Sequence, residues 1–142
     1  MTAWSDAPAL PAGTPVPNLW YDDHGAGPAV VLLHGLADTH ELWRYQVPAL
    51  AAHYRVITVD HFGHGRTPPW PGELTTAIMA DGVARLIESL GLAPAVVVGL
   101  SMGGGVAQVL ALRAPALVRA LVLVSTSSEF SPATRERFHR RA

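Results

Sequence analysis

The chain has 142 residues and not one is cysteine or lysine. Without cysteine there are no disulfides, no zinc thiolates and no thiol nucleophile, and redox chemistry says nothing about compartment. Without lysine there is no Schiff base and no lysine-bearing phosphate loop. All ten cationic side chains are arginine. Formal net charge is only −1, so nothing favours nucleic acid or an anionic membrane surface. No apolar run approaches the roughly 20 residues needed to cross a bilayer. The Ala- and Pro-rich stretch 1–17 lacks both a basic n-region and an apolar h-region, so it does not read as a secretory signal. The expectation is a cytoplasmic, one-domain protein with neither nucleic acid nor membrane as partner. Its 49% hydrophobic content is ample for a buried core.

What is present is an alternation of apolar runs and helical spacing. Residues 1–15 read as a flexible arm. A short strand is expected at 16–21, with a turn at 22–25. Strands are expected at 29–34, 55–60, 95–99 and 120–125. Between them, 41–52 has helical spacing with Leu42, Tyr45 and Leu50 as anchors. Trp43 reads as core or site wall. Residues 75–90 place Ile78, Val83, Leu86, Ile87 and Leu90 on one face, with Gly91 at the end. A further helix is expected at 102–113. The strands are apolar throughout rather than alternating, as in strands buried on both faces of a parallel sheet. The fold class is therefore α/β, a three-layer sandwich with a parallel sheet. The strand at 95–99 should lie between those at 29–34 and 120–125, with 55–60 outside 29–34.

Ligands of such sheets sit beyond the carboxyl ends of the strands. Here those ends carry His34-Gly35-Leu36, then Asp60-His61-Phe62-Gly63, then Gly99-Leu100-Ser101-Met102-Gly103. The last is a serine at a strand–turn–helix junction, with glycines where backbone must approach backbone closely. That is the pattern of a nucleophile elbow. In order and spacing, the three loops resemble the α/β-hydrolase family, and 21–141 looks most like bacterial 3-oxoadipate enol-lactonases and related carboxylesterases. The resemblance implies that Ser101 is the nucleophile and that the backbone N–H groups of Leu36 and Met102 form the oxyanion hole. It gives His34, Gly35, Gly99, Gly103 and Asp60 site-shaping roles. The implied substrate is a small carboxylic ester or lactone, with neither cofactor nor metal.

In that family the catalytic acid and the general-base histidine follow later strands. The resemblance thus makes 16–142 the N-terminal half of the core domain, a truncated α/β-hydrolase fold ending where a cap region begins. Among substitutes, His61 and His64 lie at the same sheet edge as Ser101, and Glu129 is the nearest acid. His24, His40 and His53 read as solvent-facing or turn residues. A metal on Asp60, His61 and His64 is disfavoured by spacing, and Gly103-Gly104-Gly105 fits no phosphate loop. The alternative reading is a catalytically inactive remnant acting at most as a binding domain. The apolar strand at 120–125 would be left as an edge, and self-association through it is expected.

Overall fold

The computed structural model describes residues 18–128. The expected arm at 1–15, Val16, Pro17 and Glu129 lie outside that range. The sheet has five strands: β1 (Tyr21–His24), β2 (Ala29–Leu33), β3 (Arg55–Val59), β4 (Ala95–Leu100) and β5 (Val118–Val124). Their order is β1-β3-β2-β4-β5. As expected, β4 lies between β2 and β5, and β3 lies outside β2. All of these pair in parallel.

The first strand differs from expectation. It begins at Tyr21, runs through the residues read as a turn, and is antiparallel to β3. Its acids are tolerated because this is an edge strand with one rim in solvent. Asp23 holds Arg55 of the neighbouring strand at 2.7 Å. The turn moves to Gly25 and Gly27, both at positive φ.

Helices cover both faces of the sheet. α1 (Val47–Ala51) packs on one side, and α2 (Thr76–Ser89) and α3 (Met102–Arg113) on the other. Val30, Leu32 and Val56 point toward Trp43 and the α1 layer. Val31, Leu33, Ile57, Val59 and Val97 point toward α2 and α3. Alternate residues thus serve two buried faces, which is why the strands read as unbroken apolar runs.

The expected helix at 41–52 is split. A 3-10 turn, His40–Trp43, is capped by the Thr39 hydroxyl, and α1 restarts with Pro48 in its first turn. Proline has no N–H to give and is tolerated only in a first turn, so it forces the restart. Tyr45, counted as a buried anchor, falls in the break and is 74% exposed. α2 follows expectation closely. Thr75 caps it by accepting from the Ile78 N–H at 3.2 Å, and Gly91 follows it at φ +63°.

β5 is the other edge. Val122, Leu123 and Val124 are 47%, 44% and 38% exposed, an apolar surface that no other described element covers.

Candidate active site

Parallel β2, β3, β4 and β5 deliver His34, Asp60, Ser101 and Ser125 to one edge of the sheet. Ser101 joins β4 directly to α3 and stands in the left-handed region, at φ +50° and ψ −112°. A non-glycine residue held there costs about 1–3 kcal/mol and persists only where its surroundings over-determine it. They do. The Ser101 N–H donates to the Val124 carbonyl at 2.9 Å. Its carbonyl accepts from the N–H of Gly104 at 3.0 Å and of Gly105 at 3.2 Å. The Thr126 hydroxyl donates to the same carbonyl at 2.8 Å. Ser101 itself is exposed.

The flanking glycines answer to contact as much as to conformation. A Cβ on Gly99 would strike the backbone of Gly103 and Gly104. One on Gly103 would strike the carbonyls of Leu33 and His34. These contacts bring α3 hard against the carboxyl end of β2. Gly35 meets Ser101 there: a Cβ built on Gly35 would lie 3.5 Å from the Ser101 Cβ. Met102 opens α3, so its N–H has no intrahelical acceptor. Leu36, next to Gly35, is 62% exposed.

The turn after β3 supports this arrangement from behind. Asp60 is fully buried. Its carboxylate accepts from the N–H of His40 at 2.7 Å, the His40 ring Nδ1 at 3.0 Å and the Arg66 N–H at 2.9 Å. Burial opposes the charge, but the N–H groups of Arg66 and His40 and the His40 ring outweigh it, so the Asp60 pKa is lowered. A Cβ on Gly65, at φ +51°, would collide with that carboxylate. His34 is also fully buried, with Nδ1 2.7 Å from the Gly35 carbonyl and Nε2 accepting from the His61 N–H at 3.1 Å. Burial lowers its pKa.

The candidate substitutes for a general base do not reach the serine in usable form. His61 is fully buried, its ring nitrogens have no partner among the described residues, and burial pushes its pKa down to about 3. His64 accepts from the Ala37 N–H at Nε2, so that lone pair is committed. His40 is a correction to the sequence reading. It is no solvent-facing turn residue, since its ring lies 4.3 Å from that of Trp20 and binds buried Asp60. Nothing in the apolar spacing signals this, because the partner lies twenty residues away at another strand's end. The sequence places Thr126 at a strand end but gives it no role, whereas its hydroxyl holds the Ser101 carbonyl. Among the described residues, no three His, Asp or Glu side chains are grouped to hold a metal ion. A groove of about 670 Å³ on the α1 face is lined by residues including Asp22, His40 and Arg44 but not Ser101 or Leu36.

The sequence pattern of the α/β hydrolase fold matches residues 28–141. The chain belongs to the α/β-hydrolase family. BpoC of Mycobacterium tuberculosis H37Rv, named as a non-heme bromoperoxidase, is 49% identical over 111 residues, covering 77% of this chain and 42% of that protein. Its crystal structure superposes with a TM-score of 0.80 at 44% identity, covering 89% of this chain and 47% of that one. A thermophilic esterase from Thermogutta terrifontis gives a TM-score of 0.81 at 35% identity, covering 86% of this chain and 46% of the esterase. Est816, described as an N-acyl homoserine lactone degrading enzyme, gives 0.77 at 30% identity, covering 85% of this chain and 48% of that one. The chain spans just under half the length of these relatives. No described helix of this α/β-hydrolase chain is long and apolar enough to cross a membrane.

Proposed function

We propose that this chain supplies the nucleophile and oxyanion hole of a serine hydrolase acting on a small carboxylic ester or lactone. The reading rests on one observation: Ser101 is held at positive φ at the start of α3, with Gly35 of the β2 loop against it. In the proposed reaction, the Ser101 Oγ adds to the substrate carbonyl carbon and gives up its proton. The carbonyl electron pair moves onto oxygen, where the N–H groups of Leu36 and Met102 receive it. Each such donor is worth about 3–4 kcal/mol of barrier. The N-terminal end of α3 adds partial positive charge at the same point. Collapse expels the alkoxide with a proton and leaves an acyl-serine, which water then hydrolyses. His34, Gly35, Gly99, Gly103 and Asp60 shape the loops. An ester or lactone substrate fits the esterase and the lactone-degrading enzyme among the similar structures.

The proton from Ser101 needs a base, and His34, His61 and His64 are buried or committed among the described residues. The described residues are therefore proposed to lack the catalytic acid and base, and the chain by itself to turn over at background. The second reading, an inactive remnant serving as a binding domain, is favoured by that same commitment of the histidines. Hydrolysis of a short activated ester separates the two when the C-terminal half of a family member is supplied in trans. A rate that rises on addition and falls to background in Ser101→Ala supports the hydrolase reading. A rate indifferent to Ser101→Ala defeats it.

A further inference from the structure

Three hydrogen bonds with backbone N–H donors tie the segment from His34 to His40 to the turn after β3. The His61 N–H donates to His34 Nε2 at 3.1 Å, the Ala37 N–H to His64 Nε2 at 3.3 Å, and the His40 N–H to Asp60 Oδ1 at 2.7 Å. Two of the three acceptors are imidazole nitrogens, and an imidazole nitrogen accepts only while it carries no proton. His64 Nδ1 lies 3.0 Å from the Phe62 carbonyl, which can only accept. So Nδ1 carries the proton and Nε2 the lone pair that receives Ala37. His34 is arranged the same way but fully enclosed, whereas His64 is only partly buried and open to solvent protons. Ala37 stands at φ +60°, a conformation an alanine keeps only when it is held. Its peptide adjoins the one that carries the Leu36 N–H.

We propose that His64 is a positioning residue for the oxyanion loop that works only as a neutral imidazole, so that protonating it releases Ala37 and misaims the Leu36 N–H. The inference rests on reading the β2 loop as the oxyanion loop. Near His64 stand His34 at the end of β2, with rings 5.2 Å apart, and His61 on its own turn, which also carries Asp60 and Arg66; Asp60 and, from the loop, Asp38 act on the neighbouring His34. Asp60 is committed to His40 and Arg66, the Arg66 guanidinium lies over Trp20, and burial pushes the pKa values of His34 and His61 down, that of His61 to about 3. Adding a proton to Nε2 sets a donor against a donor.

The test follows the backbone amide resonances of Leu36 and Ala37, with the His64 ring, between pH 8 and pH 5 in the 142-residue chain. The amides should move with the same midpoint as the His64 ring. In His64→Gln, whose side-chain oxygen offers a non-titrating acceptor, they should keep their high-pH positions throughout. In His64→Ala they should sit at the low-pH positions at every pH. Amides that stay flat while the His64 ring titrates overturn the proposal, as does an unchanged titration in His64→Gln. Fluorophosphonate labelling of Ser101 at pH 8, with the C-terminal half of a family member supplied in trans, tests the hydrolase reading separately. Labelling with flat amides removes only the role of His64. Amides that follow His64 without labelling leave the latch with no oxyanion loop to position, and so overturn the proposal as well.

Discussion

His40 meets the Asp60 carboxylate twice, through its backbone N–H at 2.7 Å and its ring Nδ1 at 3.0 Å. One buried carboxylate thereby ties the exit of the β2 loop to the turn after β3. The Arg66 N–H on the other oxygen closes that turn on itself.

Asp60→Ala should destabilise the chain by about 3 kcal/mol, since it strands donors that had a charged acceptor. Asp60→Asn should cost less. The Asp60 pKa is lowered in the folded state. Its contribution is therefore present above the unfolded carboxylate pKa and is lost as pH falls through the folded one. Denaturant midpoints at pH 7 and below pH 4 check both the size and the sign. Equal midpoints for Asp60→Ala and the native chain at pH 7 would contradict it.

The sheet order and the Ser101 turn were legible because they depend on local signals. Apolar runs such as that at 95–98 mark strands, and Gly99 and Gly103 mark close backbone approach. The split at Pro48 was visible in principle but was overridden by the helical spacing of Leu42 and Leu50. β1 was misplaced because its polar residues, Asp22 and Asp23, obey edge-strand rules rather than the core pattern. His40 was not legible. Its partner is brought to it only when β2 and β3 pair, and one sequence carries no record of that pairing.

Ser101→Gly should raise stability by up to about 1 kcal/mol, because glycine takes φ +50° without a Cβ clash. Thermal midpoints of Ser101→Gly and Ser101→Ala should differ, with glycine higher. An alanine variant at least as stable as the glycine variant would show that Ser101 bears no backbone strain.

His61 should weigh against stability in acid. Its folded-state pKa is lowered from 6.5 to about 3, so the unfolded chain takes up the proton first. Stability is intact above the unfolded pKa and erodes from about pH 6.5 down toward pH 3. His34, shifted in the same direction, adds to the effect. His61→Leu should flatten this acid limb. At neutral pH it should cost little, since the orphan ring nitrogens already carry an unmet hydrogen-bond penalty of about 1–3 kcal/mol. Chevron or melt data from pH 7 to pH 4 would show it, and an unchanged acid limb would contradict it.

The 142-residue chain should associate through β5. Val122, Leu123 and Val124 are substantially exposed on an edge strand, a setting that favours strand pairing. Val122→Lys together with Val124→Lys should shift sedimentation at micromolar concentration toward monomer. A native chain that already sediments as a folded monomer would contradict this.

The central claim is that Ser101, Leu36 and Met102 converge on one carbonyl. A crystal structure of the chain complemented by the C-terminal half of a family member and phosphonylated by a small fluorophosphonate tests it most directly. The account predicts phosphorus bonded to the Ser101 Oγ, with the phosphonyl oxygen within hydrogen-bond distance of both the Leu36 and Met102 N–H groups. An adduct on another residue, or a Ser101 adduct whose oxygen turns away from both N–H groups, would contradict it.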